Sequence, residues 1–151
     1  MITLDLPDES AVKHAAADLS GLRPFLARAR KAVPLVGEVS VLLTSDREIR
    51  RLNRSFRHKD KATDVLSFPA PVFPENTAGD LAISLDTAAR QAKQFGHTLE
   101  IEIKILLLHG LLHLAGFDHE TDTGEMATGE EELRRRFRLP VTLIARSSAS
   151  A

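Results

Sequence analysis

Apolar and polar positions along this chain repeat with a period of two in some stretches and about 3.6 in others, and the switches between them mark the elements. "ITLDL" alternates and predicts a strand ending at Pro7. From Asp8, a helix-capping residue type, to about Val33 the Ala, Leu and Arg content predicts helix, interrupted near "SGLRP" by Gly21 and Pro24. "EVSVLLT" is apolar and β-branched, a strand. "SDREIRRLNRSFR" predicts a helix capped by Ser45 or Asp46, with Ile49, Leu52, Asn53 and Phe56 on one face. "TDVLSFP" reads as a strand, and "PAPVFPENTAG" as a proline-rich loop in which no helix persists. "DLAIS" is a further strand, and "LDTAARQAKQFG" a helix with Asp86 at its start and Gly96 as its stop. Thr98 to Ala115 is too apolar for an amphipathic helix, so it is expected to be buried on most sides. "TDTGEMATGEEELRRRFRL" predicts a last helix before Pro140, with Gly124 and Gly129 weakening its start.

Interleaved strands and helices predict an α/β or α+β fold, with about four strands covered by helices and the helix bearing His109 as central packing element. A length of 151 residues suits one domain, taken as 1–145, followed by a disordered tail over 146–151 that includes "SSASA". Hydrophobic residues at 43% and charged residues at 27% are those of a folded chain. The N-terminus has acidic residues and no signal-like apolar run, and Glu102, Lys104 and the histidines interrupt the most apolar stretch, Ile101 to Phe117. A cytoplasmic protein with no membrane span is therefore expected. Cysteine is absent, so any transition-metal site must be built from histidine and carboxylate.

"HGLLHLAGFDH" (109–119) places three histidines in eleven positions. His109 and His113 are four apart and share a helix face; Gly116 permits a positive φ that ends the helix and lets His119 fold back. Burying such imidazoles without partners would cost about 2 kcal/mol or more each, so a shared ion is the favoured reading. Three imidazoles leave one position of a tetrahedral zinc open, as in catalytic sites, although another divalent transition metal also suits imidazole. The spacing HxxxHxxGxxH also occurs in metzincin peptidases, but their general-base glutamate position is here Gly110, which counts against peptide hydrolysis. Asp118 and Glu120 flank the third histidine, either as orienters or proton acceptors or as solvent-exposed turn carboxylates.

The overall net charge is −1, yet Arg47 to Lys61 carries seven cations against Glu48 and Asp60, a local balance of +5. Alone such a run is usually a solvated helix face; beside a metal site it suits a polyanion, with Arg50, Arg54, Arg57, Lys59 and Lys61 as candidate phosphate-binding residues. Seven Phe with no Trp or Tyr imply that binding is mostly electrostatic.

"HGLLHLAGFDH" resembles the HGxLHLxGYDH signature of the YbeY family of bacterial endoribonucleases and rRNA maturation factors. "LNRSFRHKDKATDVLSFP" resembles that family's LNxxYRxKDxxTDVLSFP segment, and "GDLAIS" its GDIxIS strand. The resemblance implies an α+β fold with a small mixed sheet, zinc ligands at His109, His113 and His119, and Arg57 as the functionally important arginine. It further implies cleavage of single-stranded RNA in 16S rRNA maturation and ribosome quality control, with the small ribosomal subunit and ribosome-associated proteins as partners. Phe117 replaces the family's usual tyrosine, so that hydroxyl is not required here if activity is retained, and Ala62 replaces a common proline. Thr63, Asp64 and Asp80 are read as capping and turn residues. The competing reading is an RNA-binding or ribosome assembly factor with a structural metal and little catalysis. A third, a metallo-hydrolase of small amides or peptides, would not need Arg57.

Overall fold

In the computed structural model, residues 2–4, 18–69 and 77–149 are described. In chain order they form β1 (Ile2–Leu4), α1 (Leu22–Ala32), β2 (Glu38–Thr44), α2 (Asp46–Arg57), β3 (Val65–Pro69), β4 (Thr77–Ser84), α3 (Leu85–Phe95), α4 (Leu99–Leu114), α5 (Glu125–Phe137) and α6 (Leu143–Ala149). Most of the helix expected between Asp8 and Gly21, and the centre of the proline-rich loop, lie outside the described residues. Among the described residues no helix is long and apolar enough to cross a membrane.

The fold is α+β with a small mixed sheet. β2 pairs parallel with β4, β3 pairs antiparallel with β4 at one edge, and the short β1 lies parallel to β2 at the other. Because side chains alternate along a strand, the β2/β4 pair has two faces. Val41, Leu43, Leu81 and Ile83 belong to the large core with Phe25 of α1, Leu107 and Leu111 of α4 and Met126 of α5. Leu42, Ala82 and Leu66 point the other way and are covered by Ile49 and Leu52 of α2. The sheet therefore separates α2 from α4.

Side-chain caps set the helix starts. Ser45, Ser84 and Thr98 accept from Glu48, Thr87 and Ile101 backbone N–H groups at the heads of α2, α3 and α4. Asp86, expected at the start of α3, lies inside its first turn and accepts from Asp46 N at 2.9 Å, tying α3 to α2. Pro24 is tolerated because it falls in the first turn of α1, where its missing N–H has no helical partner to lose. β4 begins at Thr77, before the expected "DLAIS", because Thr77 and Gly79 still find parallel partners in Glu38 and Val39 across a register shift.

The tail assignment requires correction. Residues 146–149 continue a helix, and Arg146 is buried rather than disordered. Its guanidinium donates to both carboxylate oxygens of the fully buried Glu102, at 2.8 Å each, and lies 4.2 Å from the Phe95 ring centroid. A buried carboxylate needs such a cation, which docks α6 onto α4. Positions 150–151 lie outside the described residues.

Candidate metal centre and basic segment

The last turns of α4 present His109 and His113 on one face, as their spacing requires. The helix then stops in a hydrogen-bonded reversal: Gly116, at φ 98°, donates to His113 O at 3.0 Å, and Phe117 N to Leu112 O at 3.1 Å. Phe117 packs on the large core through its apolar ring. The following turn is held by Asp118, whose Oδ1 accepts from Glu120 N at 3.0 Å and whose carbonyl accepts from Thr121 and Asp122. This returns His119 to the cluster. One ligand-capable atom from each of His109, His113 and His119 lies within 4.8 Å of the others.

The donor set fits a transition metal. The Nε2 atoms of His109 and His113 are 3.1 Å apart, close to the roughly 3.3 Å separating two nitrogens of a tetrahedral zinc with bonds of about 2.0–2.1 Å. Burial, then the neighbouring His109, pushes the His113 pKa below its ordinary value, favouring the neutral imidazole that a metal requires.

Glu130 completes this arrangement and was not singled out from the sequence. It is 1% exposed, and its Oε2 accepts from His109 Nδ1 at 2.8 Å. With the proton on Nδ1, the Nε2 lone pair of His109 faces the other histidines. The second oxygen, Oε1, accepts from Ile144 N at 2.9 Å. Asp122 caps α5 by accepting from Gly124 and Met126, which aims Glu130 back at α4. A signal did exist: Met126, Glu130, Leu133 and Phe137 form an i, i+4, i+7, i+11 stripe whose other members are apolar and packed into the core. Asp118 serves the turn, and Glu120 is exposed, so neither of these candidate orienters makes the bond to His109.

Gly110 lies against the sheet. A Cβ there would stand 2.7 Å from Leu81 Cδ2, inside the main core. The position that carries glutamate in metzincins is thus a helix–sheet contact here, with no room for a general base.

The basic residues lie on α2 and the loop after it, beyond the opposite sheet face. Arg50 donates to Asp60 through Nε at 2.8 Å and Nη2 at 3.1 Å, and Arg51 pairs with Glu48, so these two cations are internally compensated. Arg57, Lys59 and Lys61 are exposed with no ion-pair partner among the described residues; Arg54 is also exposed and senses the charge of Asp60. The loop is pinned by Asn53, whose buried side chain donates to Lys61 O at 3.0 Å, while Lys59 N donates to Asn53 O at 3.2 Å. Thus the histidines converge, and the basic residues form a separate exposed group; among the described residues no hydrogen bond or ion pair joins the two. Asp64 accepts from Val65 N at 2.8 Å, in keeping with its reading as a turn residue.

Residues 9–138 match the family model described as Endoribonuclease YbeY. An endoribonuclease YbeY of Koribacter versatilis (strain Ellin345) is 55% identical over 139 residues, covering 92% of this chain and 90% of that protein. The Solibacter usitatus (strain Ellin6076) endoribonuclease YbeY is 49% identical over 144 residues, covering 93% and 96% respectively. A solution structure of a Thermotoga maritima protein is similar at a TM-score of 0.56 and 32% identity, over 91% of this chain and 92% of that one. A match across most of the chain, with the histidine cluster inside it, establishes that the protein belongs to the YbeY endoribonuclease family.

Proposed function

We propose that this protein is a metal-dependent endoribonuclease acting on single-stranded RNA, with zinc held by His109, His113 and His119. The observation that carries this reading is the convergence of three imidazoles with Glu130 fixing the tautomer of one of them, in a chain of this family. A metal ion held by these histidines would supply Lewis acidity and lower the pKa of a bound water. The chain's own residues do the rest. Glu130 orients His109, and the Gly116 reversal positions His119. Arg57, with Arg54, Lys59 and Lys61, holds the RNA backbone; Arg57 is proposed to stabilise charge developing on the phosphoryl group, as the family resemblance implies. Arg50 contributes less to RNA than its charge suggests, since Asp60 already occupies its guanidinium.

The same resemblance extends the proposal to 16S rRNA maturation and ribosome quality control in the cytoplasm, with the small ribosomal subunit and its associated proteins as partners. The single domain expected over 1–145 is proposed to extend through Arg146 and the rest of α6, which Arg146 docks onto Glu102. The test is cleavage of an end-labelled single-stranded rRNA fragment by loaded protein, chelated protein, and the His113→Ala and Arg57→Ala variants, with folding checked by circular dichroism. Cutting by loaded protein alone supports the nuclease. RNA binding without cleavage in every preparation would instead identify an assembly factor with a structural metal.

A further inference from the structure

Of the described phenylalanines, Phe56 is the most exposed, at 66%. It is the last apolar residue of α2, directly before Arg57. α2 runs back across the sheet from the end of β2, and Ile49 seals the row Leu42, Ala82, Leu66. The next row, Ser40, Asp80 and Phe68, is paired side by side on the same face. Ser40 and Asp80 remain exposed there, and Phe56 meets Phe68 edge-on at 5.6 Å between ring centroids. Between them lies a groove of about 690 Å³, within the ~300–1,000 Å³ range of small-ligand sites.

We propose that this groove receives an unpaired nucleobase of the RNA strand. The proposal rests on the RNA reading above and adds to it a base-binding subsite on the sheet face opposite α4. Charge complementarity selects the occupant. Phe56, on the groove's wall, is followed directly by the exposed Arg57, which attracts a phosphate of the same strand. An aromatic wall then stacks a base of any identity. At the floor, the Asp80 carboxylate accepts from an exocyclic amine or ring N–H, as acidic side chains do with the amino group of cytosine. A purely apolar protein segment would leave both Asp80 and Arg57 without counterparts.

The test titrates metal-loaded protein with a fluorescent single-stranded RNA whose backbone modification blocks cleavage, and with an abasic strand of equal length and charge. Phe56→Ala should weaken binding of the base-bearing strand about tenfold, leave the abasic strand unaffected, and be rescued by Phe56→Tyr. Removing an exposed ring should spare folding, which circular dichroism checks. Unchanged affinity of Phe56→Ala for the base-bearing strand, the outcome expected if the groove takes a protein segment, overturns the subsite. So does an equal loss on both strands. If that occurs while wild-type protein still cuts RNA, the nuclease reading survives alone. If Phe56 governs binding but loaded protein never cuts, the subsite survives alone.

Discussion

Replacing Glu130 with Gln keeps the size and one carbonyl oxygen but removes the charge. Glu130 serves two donors, His109 Nδ1–H at 2.8 Å and Ile144 N–H at 2.9 Å, and is 1% exposed, so water cannot substitute. The glutamine oxygen satisfies one of these, and its amide NH2 then confronts the other. One unsatisfied buried donor costs about 1–3 kcal/mol. Part of this appears as lost stability of metal-free protein, and part as lost metal affinity, since His109 is both less basic and less firmly aimed. The dissociation constant for zinc should rise about 10- to 100-fold, or about 1.4–2.7 kcal/mol. Competition titration against a chromophoric zinc chelator measures the affinity, and thermal melting of the metal-free variant measures the stability. The exposed Glu120, changed to Gln, should leave both unchanged. A Glu130→Gln protein that is less stable yet binds zinc within about twofold of wild type would reduce Glu130 to an anchor for α6 and refute its role at the metal.

Other consequences follow from particular contacts. Gly110→Ala should lower stability by about 1–3 kcal/mol through overpacking against Leu81, offset in part by about 1 kcal/mol of helix propensity; an increased unfolding midpoint would contradict the contact. RNA affinity should fall steeply with salt, and Arg57→Ala should reduce the slope of log K against log salt by about 0.7 if that side chain contacts one phosphate. Metal affinity should also depend on pH. Protons compete for the imidazoles, so affinity should hold above neutrality and decline on acidification. His113, whose pKa is depressed below 6.5, should be protonated only at more acidic pH than a free imidazole, which chelator titration across a pH series can follow beside an imidazole-ligand peptide.

Most elements were legible because period and caps agreed locally: "EVSVLLT" is β2, and Ser45, Gly96 and Thr98 mark helix boundaries. The histidine cluster was legible for the same reason, since an i, i+4 pair and a glycine reversal are local geometry. What escaped depended on contacts between distant segments. Glu130 lies 21 residues from His109, and only the fold shows that its stripe faces the histidines. Arg146, 44 residues from Glu102, looked like part of a polar tail because sequence gave no sign of the buried carboxylate awaiting it. Arg50 likewise looked available until Asp60 folded onto it.

The most direct test adds zinc stepwise to metal-stripped protein while bound metal and the rate of single-stranded RNA cleavage are recorded together. Cleavage should rise in step with zinc to one ion per chain and then level off, and the folded His113→Ala variant should recover neither binding nor rate. Full cleavage by stripped protein held in excess chelator, or by a His113→Ala variant lacking metal, would contradict a metal-dependent nuclease centred on His109, His113 and His119.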